Sequence, residues 1–101
     1  MPYPIIVSLK AEKDALEAFE YYEDQEEGLG HRFLIDLSNK YQAISEHPTH
    51  YGFIDEDKFK YFRDVALDKF PFVVIFEFTG TEVWIFSIHN DHKNPKPKLK
   101  R

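Results

Sequence analysis

The sequence predicts an α+β fold: an N-terminal strand, then an antiparallel helical hairpin packed on one face of a three- to four-stranded antiparallel sheet. Three observations predict it. Apolar residues recur at helical spacing from Ala11 to Ile44. Past Pro48 that spacing gives way to short alternating runs. The last third then reads FPFVVIFEF, a Thr79-Gly80-Thr81 turn, and EVWIFSIHN, which is the pattern of an antiparallel hairpin.

Residues 3–9 contain the β-branched run Ile5-Ile6-Val7, a short strand. Ser8 is placed to cap the helix that follows, although Glu12 lies one residue too late for a capping box. The first helix runs from residue 11 to about 27, with Ala11, Ala15, Leu16, Ala18, Phe19 and Tyr22 on its apolar side. Gly28-Leu29-Gly30 breaks it. The second helix, from about 31 to 46, sets Phe33, Leu34, Leu37, Tyr41 and Ile44 on one face, and Pro48 ends it. So short a join makes the two helices antiparallel neighbours.

Residues 51–54 form a short apolar strand, 55–58 a turn, and 59–67 a strand that carries Arg63. Asp68-Lys69 is the next turn. In the first strand of the final hairpin Phe72, Val74, Phe76 and Phe78 face one way, and Val73, Ile75 and Glu77 the other. In the second, Trp84, Phe86 and Ile88 oppose Val83, Ile85 and Ser87. Both faces are largely apolar. The helices cover one, and an apolar remainder on the other marks a site for a partner.

The 101 residues read as a single domain spanning 1–101, and a 43% hydrophobic content is enough for a core. No apolar run approaches the ~18 residues of a membrane span, so no membrane association is expected. The start MPYPIIVSLK lacks the charged opening of a signal peptide, which makes the cytoplasm the expected location. Without cysteine there are no disulfides and no thiolate metal sites. The charge is uneven. Residues 93–101 hold five of the 13 Lys and Arg and no acid, whereas residues 1–92 hold 8 bases against 18 acids, a net of −10. An acidic body disfavours broad binding to phosphate backbones. Residues 96–101 are expected to be a flexible basic tail.

The residue types present suffice for metal-independent RNA cleavage. That reaction needs a base for the 2′-OH, an acid for the leaving oxygen and positive charge on the transition state. His89 and His92 are the candidate acid and base, because histidine titrates near pH ~6.5. Arg63, Lys69 and Lys93 are candidates for holding the phosphate. Phe59, Tyr61 or Trp84 can stack on a base. His47-x-x-His50 and His89-x-x-His92 each offer two metal ligands with no clear third, so neither a metal nor another cofactor is expected. The run Glu23-Asp24-Gln25-Glu26-Glu27 loads negative charge onto a helix C-terminus, against the macrodipole, and a basic partner would relieve it.

Taken together, the helix AEKDALEAFEYYEDQ, the entry GLGHRFLIDL, Pro48, the strand with Arg63, the FPF run and the ending HNDHKNP resemble the RelE/ParE toxin superfamily of bacterial toxin–antitoxin systems, over about residues 5–96. The resemblance implies a small cytoplasmic toxin wrapped by a cognate antitoxin. RelE-like members cleave mRNA in the ribosomal A site, and ParE-like members poison DNA gyrase. By position, Arg63 matches an arginine common on the family's sheet. Lys93 falls where the family's ending commonly has arginine. Asn90 takes the place of a common histidine, flanked by His89 and His92. The chain departs from the family pattern at Asn90 and Lys93 and in its acidic charge. The resemblance thus implies a type II toxin acting as a ribosome-associated mRNA endonuclease. Its catalytic residues would be Arg63, His89, His92 and Lys93, with RNA contacts from Tyr61, Lys69, Asn90 and Lys96. The alternative it implies is a non-catalytic ParE-like or degenerate toxin that binds gyrase or another protein.

Overall fold

A computed structural model describes residues 2–55 and 58–91. The elements run β1 (Ile5–Val7), α1 (Leu9–Gln25), α2 (Leu29–Glu46), a 3-10 turn (Pro48–His50), β2 (Arg63–Ala66), β3 (Phe72–Phe78) and β4 (Val83–Asn90). The strands form one sheet in the order β1-β4-β3-β2. Strands β2, β3 and β4 make an antiparallel meander, and β1 pairs parallel with β4, Ile6 opposite Trp84. The expected α+β architecture is therefore present, with a mixed sheet. The N-terminal strand can lie parallel because it is joined to β4 by a long connection, through both helices and then β2 and β3, and not by a tight turn.

Local chemistry sets the helix ends. The Ser8 hydroxyl accepts the Ala11 amide at 3.0 Å, as expected of a cap, and donates to the Phe86 carbonyl at 2.9 Å. One hydroxyl thus ties the start of α1 to β4. Between the helices the chain turns at Gly28, whose φ of 89° is open to glycine at little cost. The Glu23 carboxylate reaches from α1 to accept the Gly28 and Gly30 amides at 2.9 and 3.0 Å, so α1 caps its own partner helix. A Cβ on Gly30 would stand 2.6 Å from the Phe19 carbonyl oxygen, so glycine is what lets the two helices close there.

The core lies between the helices and one face of the sheet. Phe33, Leu37 and Ile44 from α2 and Ala11 and Ala18 from α1 meet Val74, Phe76, Val83 and Ile85. Tyr22, Phe33, Phe70 and Phe72 add edge-on and tilted ring contacts with centroids 4.9–5.8 Å apart. Burying each large side chain contributes about 1.5–3 kcal/mol. Leu16 and Leu34, expected on the inner faces, lie on the flanks and stay partly exposed.

Three strand details depart from the alternation read in the sequence. Ile75 pairs with Ser87 while Phe76 pairs with Ile85, which leaves Phe86 as an extra bulged residue. The bulge shifts the phase of β4, so Ile88 joins Val83 and Ile85 in the helix-side core instead of opposing them. Residues 51–54 contribute a single bridge, Phe53 opposite Arg63, and the long strand expected over 59–67 narrows to Arg63–Ala66. Lys60 adopts a left-handed φ of 59°, and the chain bends there before β2. The bend brings the Ile54 amide to the Phe62 carbonyl at 2.9 Å. Ile54 and Phe62 then cover Val73 and Ile75 on the sheet face away from the helices. Among the described residues no helix is long and apolar enough to cross a membrane.

Candidate functional site

The sheet face opposite the helices is only half covered. Ile54 and Phe62 close it over β3, but beside them Trp84 and Phe86 on β4 remain 41% and 43% exposed. Phe62 and Phe86 touch with ring centroids 5.2 Å apart, so the covered and open parts form one aromatic row. The bulge is what turns Phe86 outward here. The Trp84 indole donates to the Glu82 carboxylate at 3.0 Å, which fixes the ring across the strand.

Arg63 belongs to the other face. It pairs with Phe76 and shares a side with Val65 and the helix-side core. Its guanidinium donates to the Tyr51 carbonyl at 2.6 Å and lies 3.9 Å from the centre of the Phe53 ring. It fastens the segment before β2 to the sheet edge. His89 pairs with Val73 and takes that residue's face, the one away from the helices. The row of Val73 and Ala66 lies three residues from Arg63 along β2, or about 10 Å. Arg63 and His89 are thus separated both by face and along the strands.

The remaining candidates fall at two places. Tyr61 is well exposed and stacks on Phe59 at 5.9 Å, beside Lys58 and Lys60. Lys69 is exposed in the β2–β3 turn, where its own amide and that of Phe70 are held by the buried Asp36 carboxylate at 2.9 and 3.0 Å. Asn90 closes β4 at the same end of the sheet, opposite Phe72. His92, Lys93, Lys96 and the tail 96–101 lie outside the described residues.

The sequence reading missed a cleft of about 410 Å³ between α1 and the end of the β3–β4 hairpin. Asp14, Glu17, Tyr21, Tyr22 and Gln25 line its helical wall, and Phe72, Ile88 and Asn90 its strand wall. The Asp14 carboxylate accepts the Ile88 amide at 3.0 Å, just past the bulge. Burial, and then neighbouring Tyr21, hold the Tyr22 hydroxyl above the usual tyrosine range, so it stays protonated. One signal was available: Asp14 interrupts the apolar stripe of α1 between Ala11 and Ala18. Among the described residues no group of three or more His, Cys, Asp or Glu side chains converges as metal ligands.

A helical hairpin on one face of this mixed four-stranded sheet is the RelE/ParE-like α+β fold. The chain is similar to a chain of the chromosomal ParDE TA system from P. aeruginosa, with a TM-score of 0.76 and 18% identity over 87% of this chain and 95% of that one. It is also similar to a chain of the toxin-antitoxin complex RelBE2 from Mycobacterium tuberculosis, with a TM-score of 0.64 and 14% identity over 89% of this chain and 99% of that one. At these identities the likeness is one of fold. No protein-family model matches the sequence, and no curated protein matches it.

Proposed function

We propose that the chain is the toxin of a type II toxin–antitoxin pair, a cytoplasmic protein held by a cognate antitoxin, and that it acts by binding a protein target. The observation that carries the reading is the aromatic row of Phe62, Phe86 and Trp84, half exposed on a rigid sheet in a chain with this fold. Apolar patches of this kind are binding sites, and buried aromatic anchors supply most of the energy of such contacts.

Arg63 supports binding over RNA cleavage. A phosphate-holding arginine must reach the scissile group together with the acid and base. Arg63 is instead engaged by Tyr51 and Phe53 on the face away from His89. The second reading, ribosome-associated mRNA cleavage, is favoured by residues 58–63, KFKYFR, with three of the 8 bases in residues 1–92 and the stacked Phe59–Tyr61 pair.

Induced expression in a bacterial host, with transcript 5′-end mapping in the same culture, tests the choice. Growth arrest without new cuts is expected. New cuts at codon positions that vanish in Arg63→Ala would establish the nuclease reading instead. No arrest from soluble, folded protein would count against a toxin of either kind.

A further inference from the structure

The strands of the open sheet face carry charge of one sign. Glu77 stands opposite Trp84 on the neighbouring strand, and Asp64 stands opposite Ile75, so both acids share the face of the aromatic row. Glu82 joins them, because its carboxylate accepts the Trp84 indole N–H at 3.0 Å. Among the described strands Arg63 is the one lysine or arginine, and it takes the opposite face. Among the described residues neither Glu77 nor Glu82 has an ion-pair partner.

The two glutamates bracket one ring. Glu77 lies directly across from Trp84, and Glu82 is the diagonal neighbour of Glu77, about 7–8 Å from it. Ile6 borders the ring from β1. Trp84 itself is held in place by its bond to Glu82 and is still 41% exposed. The other end of the row is different. Phe62 and Phe86 meet there above Ile54, Val73 and Ile75, which suits an apolar side chain.

Desolvation decides what can cover such a face. An apolar partner that buried Trp84 would strip water from two carboxylates and leave them unpaired, which is costly. An acidic partner would add repulsion. A cation removes both penalties, and the indole face is the best aromatic surface for one. Arginine fits better than lysine. Its planar guanidinium stacks on a ring, donates to two carboxylates at once and is the more weakly hydrated of the two.

We propose that the protein partner covering this face presents a basic segment, which sets an arginine over Trp84 between Glu77 and Glu82 and an apolar side chain against Phe62 and Phe86. The inference rests on the reading of the row as a protein-binding site and adds the chemistry of what it binds. The glutamate pair then selects among partners of similar shape, admitting a basic one and opposing apolar or acidic ones.

Trp84 is the chain's only tryptophan, so its fluorescence and its indole N–H signal report on this place alone. The test titrates N-acetyl-arginine amide into the full chain, with N-acetyl-phenylalanine amide as the apolar probe. The arginine probe should shift the indole signal and change the fluorescence saturably. Its binding should weaken at least about threefold in E77Q/E82Q, which keeps an acceptor for the indole and removes only the charges. A comparable loss is expected in roughly 1 M salt, where charges are screened beyond ~3 Å, and this arm decides even if the double variant misfolds. The E17Q/E20Q/D24N variant, altered on the helical side, should bind the arginine probe as the parent does. Equal binding by the parent and E77Q/E82Q would overturn the inference. So would a phenylalanine probe that moves Phe62 and Phe86 while arginine leaves Trp84 unchanged, although the row would then stand as a binding face. If neither probe moves the face, the inference and the reading beneath it both fall.

Discussion

At the scale of single residues, polar side chains in apolar surroundings hold this molecule together at its joints. Asp36 is only 4% exposed, and its carboxylate holds the two amides that shape the turn into β3. Asp36→Ala removes the acceptor of two partly buried amides, and a loss of about 2 kcal/mol is expected, because a lost hydrogen bond to a charged group costs about 1.5–3 kcal/mol. Asp36→Asn keeps an acceptor and should recover part of the loss. Urea midpoints at constant slope provide the check, and equal midpoints for Asp36→Ala and the parent would refute the role. The carboxylate was visible in the sequence as a polar residue between Phe33 and Leu37, but its partners lie 33 and 34 positions away, beyond any local pattern. Arg63 has the same character. It bonds a carbonyl and covers a ring, so Arg63→Ala should lower stability by about 1–2 kcal/mol. Growth arrest should survive that substitution once expression is matched for folded protein.

At the scale of elements, what was legible followed from local chemistry. Ser8, Gly28 and Pro48 punctuate the helices where the sequence placed them, and β3 shows its two faces as the alternation reads. The features that were not legible depend on pairing between distant segments. The bulge at Phe86 appears only when β4 is laid against β3. The short length of β2 follows from the bend at Lys60 that brings Ile54 over the sheet. The candidate site suffered for the same reason. Arg63 and His89 share a plausible chemistry in the sequence, but the face that each occupies is fixed by register. Ser8 links the two kinds of feature, since it caps α1 and bonds the carbonyl of the bulged residue. Ser8→Ala should cost about 1–2 kcal/mol. Ser8→Asp should recover the cap but not the bond to Phe86, because a carboxylate has no proton to give. A thermal melt that ranks the parent above Asp and Asp above Ala supports the double role, and equal losses for Asp and Ala would remove the cap from it.

At the scale of the whole molecule, the two sides are built for different contacts. The helical side presents an acidic wall, and the far side of the sheet presents a row of aromatics next to a surface already closed by Ile54 and Phe62. A partner that buries the row adds aromatic area to a rigid surface, so it loses little side-chain entropy there. This sets the last prediction. The W84Q/F86Q variant exchanges two half-exposed rings for polar side chains of moderate size, so thermal stability should change little while binding suffers. If the row is the main contact with the proposed antitoxin, two lost anchors of about 2 kcal/mol each should weaken the complex on the order of a thousandfold. The E17Q/E20Q/D24N variant should bind the antitoxin nearly as the parent does, because its changes lie on the opposite side. Titration calorimetry of the two variants against the proposed antitoxin separates the possibilities. Loss confined to the aromatic variant assigns the interface to the sheet. Loss confined to the charge variant would move it to α1 and leave the aromatic row to the target alone.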